Sequence, residues 1–158
     1  MRAVPPAALA LLKQFEGKDG TFEAVPTQDP VGNWEIGWGH KLSGPGPEPA
    51  FPGSPLDEAA ADALALQDLA NVGAYIERRV NGTAAWTDNQ WAAVLCFAYN
   101  EGAPEFVQST MCGLMERGFM AAAADEFPKW IWAHQNGKAV KLDGLVRRRA
   151  AERALFLS

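Results

Sequence analysis

Hydrophobic and polar positions change their period twice along this 158-residue chain. From Pro5 or Pro6 to Phe15 the spacing is helical, with Leu9, Leu12, Lys13 and Glu16 on nearby faces. Proline suits the first turn of such a helix, and Gly17 is a natural C-cap. Over residues 21–40 the period becomes two. Trp34, Ile36 and Trp38 alternate with Glu35, Gly37 and Gly39, which predicts a strand with two unlike faces. Pro30-Val31-Gly32-Asn33 supplies the turn before it. Beyond the Pro- and Gly-rich loop from Gly44 to Pro55, everything reads as helix. Ser54-Pro55-Leu56-Asp57 reads as N-cap, N1 proline and N3 acid of a long helix running to about Arg79. Thr87-Asp88-Asn89-Gln90 is a capping box that opens a helix to about Asn100, with Gly102 just past its end. Further helices are predicted over 108–117, over 119–134 with a kink at Pro128, and over 144–157.

These elements predict a single domain over residues 1–158, α+β and mainly helical. A small β-containing lobe covers about 17–55, and a helical lobe covers about 56–158 together with the N-terminal helix. A long helix links the two, and a groove between such lobes suits an extended ligand. With 48% apolar residues the chain has ample material for a core. The apolar stretch from Val4 to Leu12 is broken by Pro5 and Pro6 and followed by Lys13 and Glu16. It is too short to span a bilayer and lacks the marks of a signal peptide, so synthesis in a cytoplasm and no stable membrane association are expected.

Charge and cysteine content narrow the partners. A net charge of −5 argues against nucleic acid. Between Lys138 and Arg153, six basic residues stand against Asp143 and Glu152. That patch either faces an anionic polymer or is the solvated side of the last helix. Cys96 and Cys112 sit among apolar neighbours without metal-type spacing and read as reduced, buried thiols; a disulfide requires maturation outside the cytoplasm. Two histidines without ligand-spaced acids predict no catalytic metal, and no cofactor is expected.

Three carboxylates draw attention as chemistry. Glu16 follows Phe15 at the end of an apolar helix, where partial burial and the negative end of the helix dipole both favour the protonated acid. General acid catalysis on a glycosidic oxygen needs such a group, although a solvated helix-end residue is the plainer reading. Asp29 precedes Pro30 and reads equally as a turn initiator. Glu35 shares a strand face with Gly37 and Gly39, which either leave space for a large ligand or form a tight bend. Converging, these carboxylates suit glycoside hydrolysis, which uses an acid together with a base or nucleophile. Trp34 and Trp38 read as core ahead of sugar-stacking platforms.

The segments Phe15-Glu16-Gly17, Asp29 and Glu35-Ile36-Gly37-Trp38-Gly39-His40 resemble the bacteriophage-type lysozymes of glycoside hydrolase family 24. So do Thr87-Asp88-Asn89-Gln90, Ala98-Tyr99-Asn100-Glu101-Gly102, Phe106 to Thr110, and Gly144 to Arg149. The resemblance spans nearly the whole chain in order. It implies a lysozyme-like fold and an endolysin that cuts the β-1,4 bond between N-acetylmuramic acid and N-acetylglucosamine. Glu16 becomes the general acid, and Asp29 activates or orients water. Gly39, His40, Tyr99, Asn100 and Ser109 fall at positions near the glycan, with His40 a hydrogen-bonding residue and not a base.

Two departures stand out. The gap from Glu16 to Asp29 is longer than usual in the family, which leaves Glu23 and Asp19 as fallback candidates. Glu35 occupies the place of a threonine that holds the attacking water. A carboxylate there either strengthens the base of an inverting reaction or attacks the sugar in a retaining one. Carboxyl separations of about 6.5–9.5 Å and about 5–5.5 Å respectively distinguish the two. The competing readings are a lytic transglycosylase, which needs one glutamate and forms anhydro ends, and a non-catalytic wall-binding protein. The endolysin reading implies a monomer released to the wall by a separate holin.

Overall fold

In the computed structural model, the described residues are all but 18–19, 30–31 and 136–137, together with every side chain except those of 134, 135 and 138. The chain divides into two compact units, one of Leu12–Asp68 and one of Met1–Leu11 with Leu69–Ser158. Helix α2, Glu58–Glu77, supplies residues to both.

The first unit is built on a three-stranded antiparallel sheet in the order β1-β2-β3, with β1 at Glu23–Gln28, β2 at Trp34–Gly37 and β3 at His40–Ser43. Thr27 pairs with Glu35, and Glu35 with Lys41. Leu12, Ile36, Trp38, Leu56, Ala61 and Ala65 are its buried apolar residues. The alternation around Trp34 thus marks a real strand. Helix α1, Pro6–Lys13, stops two residues before the expected Phe15. Its end is closed by bonds from the Phe15 and Glu16 amides to the Leu12 carbonyl.

Helix α2 begins later than the sequence suggests. Asp57, not Ser54, caps it, accepting a 2.8 Å hydrogen bond from the Ala60 amide. Residues 54–56 are held instead by β1. The Leu56 amide donates to the Ala24 carbonyl at 2.8 Å, and the Ser54 hydroxyl points to the same oxygen at 3.5 Å. A hydroxyl engaged there cannot cap.

The second unit is mainly helical. The capping box forms as expected: the Thr87 hydroxyl accepts from the Gln90 amide while the Gln90 side chain accepts from the Thr87 amide, opening α3 at Asp88–Glu101. Gly102 follows with φ +109°. Helices α4 (Ala103–Val107), α5 (Thr110–Glu116), α6 (Met120–Ala124) and α7 (Asp143–Phe156) complete the set. Phe97 centres an aromatic core, edge-on to Phe106, Phe127 and Trp130 at centroid distances of 6.2, 5.5 and 5.2 Å. Cys96 and Cys112 are buried, unbridged thiols.

The expected helix over 119–134 does not form. The alanine run yields only α6, a short 3₁₀ turn holds Phe127–Lys129, and Trp132–Gln135 becomes strand β4, paired antiparallel with β5 at Lys138–Lys141. The Leu142 amide closes this hairpin on the Ile131 carbonyl at 3.0 Å. Pro128 removes a backbone donor, and the β-branched and aromatic residues beyond it favour the ladder.

Candidate active site

The site assembles from three loops and strand ends of the unit Leu12–Asp68. Glu16 lies in the bend after α1, half-buried, one residue before Gly17. Gly17 has φ +81°, and a Cβ there would stand 2.0 Å from the Thr21 carbonyl oxygen. Only glycine permits this bend, so the residue carrying Glu16 into place is dictated by local sterics.

Asp29 directly follows β1, and its carboxylate holds the hairpin closed. It accepts 2.8 Å and 2.9 Å hydrogen bonds from the backbone amide and side-chain Nδ2 of Asn33. The Asp29 amide donates in turn to the Asn33 carbonyl at 2.8 Å. The turn-forming role is therefore real, and it also fixes the carboxylate in space. Pro30 and Val31 lie outside the described residues.

Glu35 lies at the second residue of β2, half-buried. Burial first, and then the charges of Glu16, Asp29 and Glu23, push its carboxyl above the usual range, while Lys41 pulls it down. Glu16, Asp29 and Glu23 are thus the acids whose charges act on Glu35. Glu23 joins through β1, where it pairs with Gly37. Lys41 had no sequence signal except its position across the β2–β3 turn. Asp19 lies outside the described residues.

The two glycines of the motif serve the bend. Gly37 and Gly39 have φ +66° and +80°. A Cβ on Gly37 would meet Leu56, Ala61 and Leu64 at 3.7 Å, so that position packs on α2 and does not open to a ligand. Between them Trp38 is 3% exposed. Trp34 is half-buried and donates from Nε1 to the Gly46 carbonyl at 2.9 Å. His40 places Nδ1 2.7 Å from Asp68 Oδ2 and its ring edge-on to Phe51.

Tyr99, Asn100 and Ser109 belong to the other unit. Tyr99 is half-buried on α3. Asn100 Oδ1 accepts a 2.7 Å bond from Arg149. Ser109 caps α5, accepting from the Cys112 amide and donating to the Phe106 carbonyl at 2.6 Å. The basic run there is depleted by burial: Arg148 and Arg149 are 4% and 1% exposed and both pair with Glu152. Arg149 also bonds Glu101 at 2.9 Å. Arg153 pairs with Asp125. The patch is thus part internal ion network and part surface.

A family model described as phage lysozyme matches residues 13–152. An endolysin of Acyrthosiphon pisum secondary endosymbiont phage 1 is 32% identical over 95% of this chain and 94% of its own length. The endolysin of Bacillus phage PZA is 34% identical over 96% of this chain, which spans only 54% of that longer protein. Among solved structures, the muramidase domain of SpmX from Asticaccaulis excentricus matches with a TM-score of 0.83 at 32% identity, covering 100% of this chain and 99% of that one.

Proposed function

The chain belongs to the phage lysozyme family, with its lysozyme-like α+β fold, and we propose that it hydrolyses the β-1,4 bond between N-acetylmuramic acid and N-acetylglucosamine in peptidoglycan with Glu16 as general acid and the pair Asp29 and Glu35 handling water. Endolysin and muramidase relatives carry the activity and the substrate class. The observation supporting the residue roles is the shared electrostatics of Glu35 with Glu16 and Asp29.

Carboxylates sharing a field ionise less readily together than alone, which favours one of them keeping its proton while another is charged. That division of labour is what an acid and a base on either side of a glycosidic bond require. Glu16 protonates the leaving oxygen. Asp29, pinned by Asn33, and Glu35 orient and deprotonate the attacking water. Gly39, His40, Tyr99, Asn100 and Ser109 are the candidate glycan-binding residues of this reading. The whole chain acts as one catalytic domain and as a monomer on the cell wall, reached through a pore made by a separate holin.

Digestion of purified peptidoglycan in water enriched in heavy oxygen tests the reaction. Label at a new reducing-end muramic acid is the expected result. Unlabelled anhydro ends would identify a lytic transglycosylase instead, and intact sacculi a wall-binding protein. Glu16→Gln is expected to abolish cleavage; retention of most activity would remove Glu16 from the mechanism.

A further inference from the structure

One part-buried network in the Leu12–Asp68 unit is not used by the chemistry above. Trp38 lies between two glycines in left-handed conformation, where the chain reverses from β2 into β3. Its indole Nε1 donates a 2.7 Å hydrogen bond to Asp62 Oδ1 on α2. The same carboxylate takes Lys13 Nζ at 2.9 Å on Oδ1 and 3.0 Å on Oδ2. Lys13 also bonds Glu58 at 2.8 Å, and its ammonium lies 4.9 Å from the Trp38 ring centroid. One carboxylate, one cation and one indole therefore close a triangle, each touching the other two.

Two features tie this triangle to Glu16. Lys13 is the last residue of α1, three residues before Glu16, and the intervening turn hangs on the Leu12 carbonyl. The second link is Gly17, immediately after Glu16. A Cβ built on it would lie 3.3 Å from Trp38 Cζ3, so the indole is the wall against which the Gly17 bend rests. Phe22 packs against the other side of this region, its ring 5.7 Å from that of Trp38. The backbone of Glu16 is held from before by Lys13 and from behind by Trp38, and both holds converge on Asp62.

We propose that Asp62 is a positioning residue for Glu16, acting through Trp38 and Lys13 to fix the bend that presents the acid to the glycosidic oxygen. The proposal rests on the reading of Glu16 as the general acid. The chemistry suits a fixed support. A carboxylate sharing its oxygens between an ammonium and an indole N–H makes charge-assisted bonds that resist rotation. The cation over the ring adds a further attraction. Hydrogen bonds donated to Glu58 first, and then to Asp62, raise the Lys13 pKa above its usual value, so the support stays charged throughout the range in which a glycosidase works.

The test is steady-state kinetics on soluble glycan strands for Asp62→Ala, Asp62→Asn, Trp38→Phe and Glu16→Gln, with thermal denaturation of each protein. Misplacing an acid by about 1 Å costs on the order of a hundredfold in rate. Asp62→Ala is therefore expected to lower kcat by about tenfold to a hundredfold with KM within about twofold. Asp62→Asn keeps an acceptor for the indole and recovers part of the loss. Trp38→Phe keeps the ring, loses the N–H and falls between the two. If Asp62→Ala leaves kcat within about twofold of the parent while only its Tm falls, Asp62 is a structural residue and the proposal is wrong. Should Asp62→Ala fail to fold, Asp62→Asn and Trp38→Phe decide by the same criterion. Glu16→Gln separates the premise from the inference: cleavage by that variant removes the premise, whereas its inactivity beside a fully active Trp38→Phe and Asp62→Asn removes only the inference.

Discussion

Glu35 stands directly opposite Lys41 in the antiparallel register of β2 and β3, yet its carboxyl is held above the usual range. Burial and three neighbouring acids outweigh one cross-strand cation. Lys41 is thus the cation that pulls against this rise. Replacing Lys41 with Gln removes that pull and moves the pKa of Glu35 further up. If Glu35 works ionised, the acidic limb of the pH–kcat profile shifts to higher pH, and a profile identical to the parent would count against that role.

Stability responds to Glu35 with a definite sign. Its pKa in the folded chain lies above that of the unfolded chain, so folding binds a proton as pH rises through that window and stability falls there. In its ionised form Glu35 is therefore a net cost. Glu35→Gln is expected to raise Tm at pH 7, with the gain vanishing below the unfolded carboxyl pKa. Partial solvation keeps the gain under about 1 kcal/mol. Thermal melts at pH 7 and pH 3.5 check both parts, and a variant less stable at pH 7 would contradict it.

Asn33 is the residue that holds Asp29. Removing its side chain leaves the backbone amide bond but deletes the 2.9 Å contact to Asp29 Oδ2. Asn33→Ala is expected to cost about 1 kcal/mol of stability and, on the proposed mechanism, a larger fraction of activity, since a loosened base is misplaced as well as less supported. Urea denaturation and initial rates measured on the same preparation give the two numbers.

The ion network of α7 sets a fourth expectation. Glu152 is fully buried, and burial pushes its carboxyl up to about 7 against the opposing pull of Arg149 and Arg148. Arg149→Ala strands Glu152 without one partner and removes the bonds to Glu101 and Asn100. Breaking a buried pair from one side costs about 3–5 kcal/mol. The Arg149→Met exchange keeps more of the packing over Phe97, whose ring centroid lies 4.8 Å from the guanidinium, and is expected to lose less than Arg149→Ala. Equal losses for the two would mean that charge alone matters there.

Much of the fold was legible because its determinants are local. The capping box at Thr87 and Gln90 involves residues three apart, and the structure contains both of its bonds. The alternation of Trp34, Ile36 and Trp38 marked a strand because each side chain already chooses a face. Gly17, expected as the C-cap of the first helix, lies four residues beyond its last residue, Lys13, and makes a bend that no other residue can make. The hairpin of β4 and β5 was not expected, because the alanine run before it matches a helix.

Residue types and their spacing by themselves determined a mainly helical α+β chain, its lysozyme resemblance and three candidate carboxylates. Only the tertiary structure decided which groups share a field. It gave α2 to Asp57 because Ser54 is engaged by β1, and it turned Gly37 toward Leu56 and Ala61. It buried Arg148 and Arg149 in an ion network where the sequence offered a basic surface, and brought Glu23 and Lys41 to Glu35. The physical reason is range. Caps, turns and periodicity are fixed within a few residues, whereas burial, charge and positioning depend on partners that only folding brings together.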